Sequence, residues 1–213
     1  MTGEMSIDQR VAMLENEVRE INRIIARNLE GVLPPAQHRL VFSWPVGDIT
    51  RRTLAPWIDM QGWATTYPVS MGRKDWHTGA DLNLNVPVVY SDVNAEVYAC
   101  ADGVIRFAGA IKGWQGEIVI IEHTLEDGRL IWSRYAHILA ATPYGSLNAR
   151  TQRGFLIGHI ADYLPKGPSM DHLHFDIAWC DLGKKPGDWP NTDIARLKID
   201  YVDPIKWIEE RLL

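Results

Sequence analysis

Cysteine and long apolar runs are both scarce in this chain of 213 residues. The two cysteines, Cys100 and Cys180, lie far apart and form no C-x-x-C pair, so two buried thiols and a single disulfide are both open. No apolar run approaches the roughly 18 residues of a membrane-spanning helix, and the first residues lack the basic and then apolar pattern of a signal peptide. The sequence therefore predicts no membrane span and carries no visible export signal.

Clusters of positive charge are also missing. The formal net charge is -5 at pH 7, and the longest basic runs are the pairs Arg51–Arg52, Arg73–Lys74 and Lys184–Lys185. Because proteins that bind nucleic acid carry a basic patch, we expect no nucleic-acid partner. The pair Arg73–Lys74 precedes a histidine-containing motif and could meet a substrate carboxylate, although a solvated basic pair is the simpler interpretation.

The first 30 residues predict an amphipathic helix. Ser6 and Gln9 form a capping box at its start, and apolar residues then recur at spacings of four and three. This stripe favours a coiled coil that joins copies of the chain through residues 6–29, although packing against the chain's own domain is the alternative. Pro34 and Pro35 end the helix, so we expect a linker at 31–41 and one domain over 42–213.

The rest of the chain predicts a mainly β fold with an antiparallel sheet. Short alternating or apolar runs are separated by glycine and proline, and Asp127–Gly128 suits a hairpin turn. Asp203 followed by Pro204 predicts the start of a short C-terminal helix. The predicted strands are 81–84, 97–100, 103–108, 117–123, 130–137 and 173–179. The segment 47–72 has no clear pattern, and its aromatic residues suggest an ordered loop or lid.

Histidines stand out in three separate motifs. In the strand-like run His172–Ile177, His172 and His174 alternate with apolar residues and share one face, about 7 Å apart. His77 and Asp81 come nearly a hundred residues earlier, in a turn that leads into a strand. Three nitrogen or oxygen ligands with one open position are what zinc needs to hold and activate water. A further histidine, His137, ends an apolar strand and could assist in proton transfer or oxyanion binding.

The ordered set of these motifs closely resembles the lysostaphin-type zinc metallopeptidases, which cut peptide cross-links of bacterial peptidoglycan. The motifs are H-T-G-A-D at 77–81, Y-A-H-I at 135–138 and H-L-H-F-D at 172–176. The resemblance implies that His77, Asp81 and His174 bind Zn²⁺. It also implies that His172 is the general base and that His137 stabilises the transition state.

The function implied is hydrolysis of peptidoglycan stem or cross-bridge peptides at the cell envelope or outside the cell, with delivery by a phage as one route. The alternative is a non-catalytic module on the same fold that binds peptidoglycan or regulates an amidase. Such modules typically lose metal ligands, and all three are present here. An iron oxygenase with an H-x-H motif would need a later histidine, and none follows His174. Asp176 could orient a ligand histidine or face solvent, and we expect His123 to be structural.

Overall fold

The computed structural model describes residues 40–48, 53–67, 72–84, 92–140, 147–162 and 171–212. All of these belong to one compact unit, Arg39–Leu213. The predicted N-terminal helix and its coiled coil lie outside the described residues, as does nearly all of the predicted linker. Among the described residues, no helix is both long and apolar enough to cross a membrane.

A mainly antiparallel β-sheet dominates the described part of the chain, as the sequence predicts. Seven strands lie side by side in the order β1-β2-β9-β6-β5-β4-β7, while β10 pairs with β9, and β8 pairs with both β3 and β6. The strands are β1 (Trp57–Asp59), β2 (Ala80–Leu84), β3 (Glu96–Tyr98), β4 (Gly103–Ala110), β5 (Glu117–Thr124), β6 (Leu130–Ala140), β7 (Arg150–Thr151), β8 (Leu156–Ile160), β9 (Leu173–Ala178) and β10 (Tyr201–Val202).

Local sequence explains the longest hairpin. Strands β5 and β6 are joined at Asp127–Gly128, where Gly128 has a positive φ of 81° and donates its N–H to the carbonyl of Leu125. Glycine accepts this left-handed backbone without steric cost. The predicted turn is therefore present at the expected position.

Two short helices follow the sheet. The predicted C-terminal helix, α2 (Pro204–Glu209), begins at Asp203, whose side chain accepts from the N–H groups of Ile205 and Lys206. The first helix, α1 (Ile194–Asp200), is capped by Asp193 and was not predicted from the sequence. Seven residues are too few to establish a helical period, so the N-cap aspartate was the only signal.

The two faces of the central sheet bury different residues. On β9, Leu173, Phe175 and Ile177 point into the larger apolar core, which Trp207 of α2 also joins. The alternate residues, His174 and Asp176, are buried on the opposite face. A second apolar cluster flanks them there, formed by Ile118, Ile120, Trp132, Ala136, Ala178, Leu182 and Tyr201. Period-two alternation therefore brings the polar motif residues to one face.

The cysteines do not pair. Cys100 is a buried free thiol and Cys180 is a partly buried one. Burial raises the pKa of each thiol to about 11, so both are protonated at neutral pH.

Candidate metal centre

The side chains of His77, Asp81 and His174 meet at the junction of β2 and β9. Asp81 lies directly opposite His174 in the antiparallel ladder, and His77 lies three residues before the start of β2. His77 Nε2 is 3.0 Å from Asp81 Oδ1 and 3.0 Å from His174 Nδ1, while His174 Nδ1 is 2.9 Å from Asp81 Oδ1. Three potential ligand atoms thus form a nearly equilateral triangle.

A glycine makes this junction possible. Gly79 lies so close to β9 that an added Cβ would be 2.1 Å from the carbonyl oxygen of Phe175 and 2.6 Å from Asp176 Oδ1. Any side chain at this position would push the two strands apart. Gly79 does not have a positive φ, so backbone conformation does not explain this glycine. The close approach of the two strands does.

The outer nitrogen of each of these two imidazoles has an acceptor. His77 Nδ1 faces the carbonyl of Gly62 at 3.3 Å, and His174 Nε2 faces Asp176 Oδ2 at 2.9 Å. If these outer nitrogens carry the protons, the inner ones present lone pairs toward Asp81. Two lone pairs and a carboxylate oxygen at such short range repel one another, so the arrangement favours a proton or a metal ion between them.

The donor set fits zinc. Two imidazole nitrogens and one carboxylate oxygen are ligands that Zn²⁺ takes, and a tetrahedral ion with bonds of about 2.0–2.1 Å sets its ligands about 3.3 Å apart. The observed separations of 2.9–3.0 Å are close to that value. Three protein ligands would leave the fourth position open, as in catalytic zinc sites.

Electrostatics in the centre also favour a cation. Burial alone would raise the pKa of Asp81, but its close contacts with the imidazoles of His174 and His77 hold that pKa well below the usual value. Burial would lower the pKa of His174, but Asp176 and Asp81 raise it to about 9. The two carboxylates thus keep His174 protonated in the metal-free protein. A metal ion that binds its Nδ1 would displace the proton there.

A buried arginine supports this arrangement. Arg134 on β6 pairs across the sheet with Asp176, and its Nε donates to Asp176 Oδ2 at 2.5 Å. The guanidinium also donates to the carbonyls of Pro186 and Asp188, and both charged side chains are fully buried. Asp176 therefore does not face solvent, and that alternative from the sequence is wrong. The hydrogen bond to His174 agrees with the orienting role.

Two more imidazoles lie beside the triangle of potential ligand atoms. The rings of His137 and His172 are 4.8 Å apart, and His172 Nε2 is 3.6 Å from Asp81 Oδ1. His137 Nδ1 lies 2.9 Å from the carbonyl of Gln115, which fixes that imidazole. Burial, together with His172 and His174, lowers the pKa of His137 to about 3. All five predicted site residues therefore lie in one place.

His137 reaches this face through a backbone irregularity. The register of β5 and β6 shifts between Glu117 and Ile118, so that His137 is the extra residue between the paired positions Ala136 and Ile138. Its φ of 63° is unusual for a residue other than glycine. Such β-bulges redirect side chains beside active sites. Simple alternation would have sent His137 to the opposite face from Ala136.

Aromatic rings that the sequence analysis did not assign to the site surround it. Trp114 lies 5.5 Å from the His174 ring and 5.8 Å from the His137 ring, and Trp189 is 5.5 Å from both Trp114 and His174. Tyr67 contacts His77 at 5.6 Å. The sequence contains nine tryptophans, many for its length, but core packing is the simpler explanation for such a number.

The histidine on β5 lies away from this centre. His123 is buried on the opposite face, where it bonds the carbonyl of Asp102 at 2.8 Å and the hydroxyl of Ser133 at 2.8 Å. Burial lowers its pKa to about 4. The structural role expected for His123 agrees with these contacts.

A family model for peptidase family M23 matches residues 76–187, just over half of the chain and the whole set of histidine motifs. The chain belongs to peptidase family M23. This membership confirms the resemblance to the lysostaphin-type metallopeptidases. No curated protein sequence matches the chain significantly.

Solved structures share the fold at low sequence identity. The M23 chain is similar to lysostaphin from Staphylococcus simulans, with 18% identity over 83% of this chain and 55% of that one, and a TM-score of 0.50. A solution structure of lysostaphin gives 17% identity, 83% and 56% coverage, and a TM-score of 0.51. The chain is also similar to a structure of the SpoIIQ–SpoIIIAH pore-forming complex, with 15% identity over 82% of this chain and 94% of that one, and a TM-score of 0.52. The chain thus spans just over half the length of lysostaphin.

Proposed function

We propose that this M23 protein is a zinc-dependent endopeptidase that hydrolyses peptide bonds in peptidoglycan stem or cross-bridge peptides. The observation that carries the proposal is the convergence of His77 Nε2, Asp81 Oδ1 and His174 Nδ1 within about 3 Å, beside two further imidazoles. Membership of the family and the similarity to lysostaphin support peptidoglycan as the substrate, with action at the cell envelope or outside the cell.

In this proposal His77, Asp81 and His174 hold the zinc ion. Bound there, zinc supplies a Lewis acid that activates water at neutral pH. His172, partly exposed beside Asp81, takes the proton from the attacking water. His137 stabilises the oxyanion and returns a proton to the leaving amine.

The hydrogen bond of His137 constrains this proton transfer. Its Nδ1 lies 2.9 Å from the carbonyl of Gln115 and must carry a proton to make that bond. In the neutral imidazole, Nε2 then has a lone pair, so it accepts rather than donates. His137 can therefore donate to an oxyanion only after it has received a proton, and His172, with its ring 4.8 Å away, is the nearest source.

The test compares the wild type with His172→Ala and with His137→Gln. Zinc content is measured on the purified proteins, and muropeptide release is measured from purified peptidoglycan. We expect about one zinc per chain in all three proteins and release only by the wild type. Loss of zinc from His172→Ala would contradict its assignment as a base rather than a ligand.

The alternative is a non-catalytic module that binds peptidoglycan or regulates an amidase. The SpoIIQ–SpoIIIAH complex, which has a similar fold, forms a pore. The complete donor triangle of the present chain favours the enzyme. Zinc bound by the wild type with no cleavage of any peptidoglycan type would favour the module instead.

A further inference from the structure

Arg73 lies on the aromatic wall of the metal centre. Its guanidinium carbon is 4.0 Å from the centroid of the Tyr67 ring and 5.6 Å from that of Trp189. Both rings in turn contact the imidazole of His77, at 5.6 Å and 6.1 Å. The arginine side chain is nevertheless 45% exposed. A positive charge that solvent can reach therefore stands at the rim of the proposed active site.

The guanidinium has hydrogen-bonding capacity left over. Of its five N–H donors, Nε and one N–H of Nη2 point to a single oxygen, Asp75 Oδ2, at 3.3 Å and 3.1 Å. Within the part of the chain that the structure describes, neither Nη1 nor the second N–H of Nη2 donates to a protein acceptor. Those groups form the end of the planar fork, the edge that binds a carboxylate through two parallel hydrogen bonds.

The fork is held in place before any ligand arrives. The guanidinium carbon lies over the Tyr67 ring, and Asp75 Oδ2 accepts from Nε and Nη2. A flexible arginine would lose conformational entropy on binding, whereas a side chain that is already ordered loses little. This preorganisation distinguishes Arg73 from an ordinary solvated basic residue.

We infer that Arg73 binds a carboxylate of the peptide substrate. The two ring contacts bring the guanidinium within about 10 Å of the His77 imidazole, the span of about three residues of an extended peptide at 3.4 Å each. The carboxylate would thus lie within three residues of the scissile bond. The inference rests on the proposed function and narrows it to anionic stem peptides, because a glycine cross-bridge carries no carboxylate along its chain.

The experiment measures peptide binding to the full-length, zinc-loaded protein by calorimetry. All proteins carry His172→Ala so that bound peptide is not cut. One probe is the stem tetrapeptide L-Ala-γ-D-Glu-meso-diaminopimelate-D-Ala with free carboxylates, and the other is the same peptide with every carboxylate converted to a carboxamide. The variants are Arg73→Gln, Arg73→Lys and, as a matched control for charge, Lys74→Gln.

We expect Arg73→Gln to weaken binding of the free-carboxylate peptide about tenfold or more and to leave the carboxamide peptide within about twofold. Arg73→Lys keeps the charge but loses the fork, so it should recover only part of the affinity. Lys74→Gln should keep the preference of the parent His172→Ala protein for the free-carboxylate peptide. Equal binding of the two peptides by the parent protein, no binding of either peptide, or an equal loss for both peptides in Arg73→Gln would overturn the inference.

Failure of the inference can be told apart from failure of the proposed function. The protein with His172 intact is assayed separately for release of muropeptides. Carboxylate-dependent binding through Arg73 without cleavage would support the carboxylate site and contradict the proposed endopeptidase activity. Cleavage of peptidoglycan by a protein that binds both peptides equally would support the endopeptidase activity and contradict the carboxylate site.

Discussion

The carboxylate of Asp176 lies between the guanidinium of Arg134 and the imidazole of His174, and all three side chains are buried. Burial would raise the pKa of Asp176, but Arg134 and His174 hold it well below the usual range. The ionised carboxylate accepts the outer N–H of His174, which orients the ring so that Nδ1 faces Asp81. One buried ion pair therefore positions a proposed zinc ligand.

This contact leads to the first prediction. Asp176→Asn removes the charge that holds the His174 N–H, so we expect the zinc dissociation constant to rise about 10- to 100-fold. Competition with a chelator measures it, in samples whose folding is checked by circular dichroism. The control is Glu122→Gln, which breaks the partly exposed Arg106–Glu122 pair in the same sheet and should leave zinc affinity unchanged. Wild-type affinity in folded Asp176→Asn would contradict the positioning role.

A second prediction concerns Asp92, a fully buried carboxyl group near Asn83. Burial raises its pKa from 3.8 to about 6. The folded state therefore keeps a proton that the unfolded chain loses at lower pH. The stability from that proton is complete below about pH 4 and is lost as the pH rises through about 6, a change of about 2–3 kcal/mol.

Asp92→Asn removes this titration. We expect the difference in free energy of unfolding between variant and wild type to shift in favour of the variant by about 2 kcal/mol between pH 4 and pH 7. Urea unfolding with a chelator present measures it, so that metal uptake adds no pH dependence. A difference that stays constant over this range would show that Asp92 does not titrate as stated.

At the scale of the elements, the contact between β2 and β9 decides whether the proposed ligands meet. Gly79 permits the approach, and Asp81 and His174 are direct neighbours across it. Gly79→Ala places a methyl group against the backbone of Phe175, which cannot move without separating the strands. We expect a loss of about 3 kcal/mol or more in stability, together with loss of zinc binding. Thermal unfolding and zinc content measure the two effects.

The matched control for this substitution is Gly187→Ala. An added Cβ there would meet only the Ile111 side chain at 3.3 Å and the Trp114 ring at 3.4 Å, so the neighbours can adjust. We expect a loss below about 1 kcal/mol and normal zinc content. Unchanged zinc binding in Gly79→Ala would show that the two strands do not need this close contact.

The elements also show where prediction from sequence succeeds and fails. The alternation in 172–177 correctly places His174 and Asp176 on one face, because period two is a local property of a strand. The Arg134–Asp176 pair depends on β6 lying beside β9, a long-range pairing that no local pattern reports. The bulge that turns His137 into the site is equally hidden, since it depends on the register between two strands.

At the scale of the whole molecule, the proposed zinc site joins distant parts of the chain. His77 and His174 are 97 residues apart in sequence, and β9 links them to β6 and so to the bulge at His137. The family and the fold were recognisable because the motifs keep their order along the chain. Joining of copies through residues 6–29 stays a prediction.

Because folding assembles the site, zinc should stabilise the whole domain. A ligand that binds only the folded state at a concentration 100 times its Kd adds about 2.7 kcal/mol, which corresponds to about 5–10 °C in Tm for a chain of this size. We expect a chelator to lower Tm by this amount and added zinc to restore it, as measured by differential scanning calorimetry. His172→Ala should keep the zinc dependence, and His174→Ala should lose it, because only His174 belongs to the donor triangle. The same Tm with and without zinc in the wild type would mean that the triangle does not hold the metal.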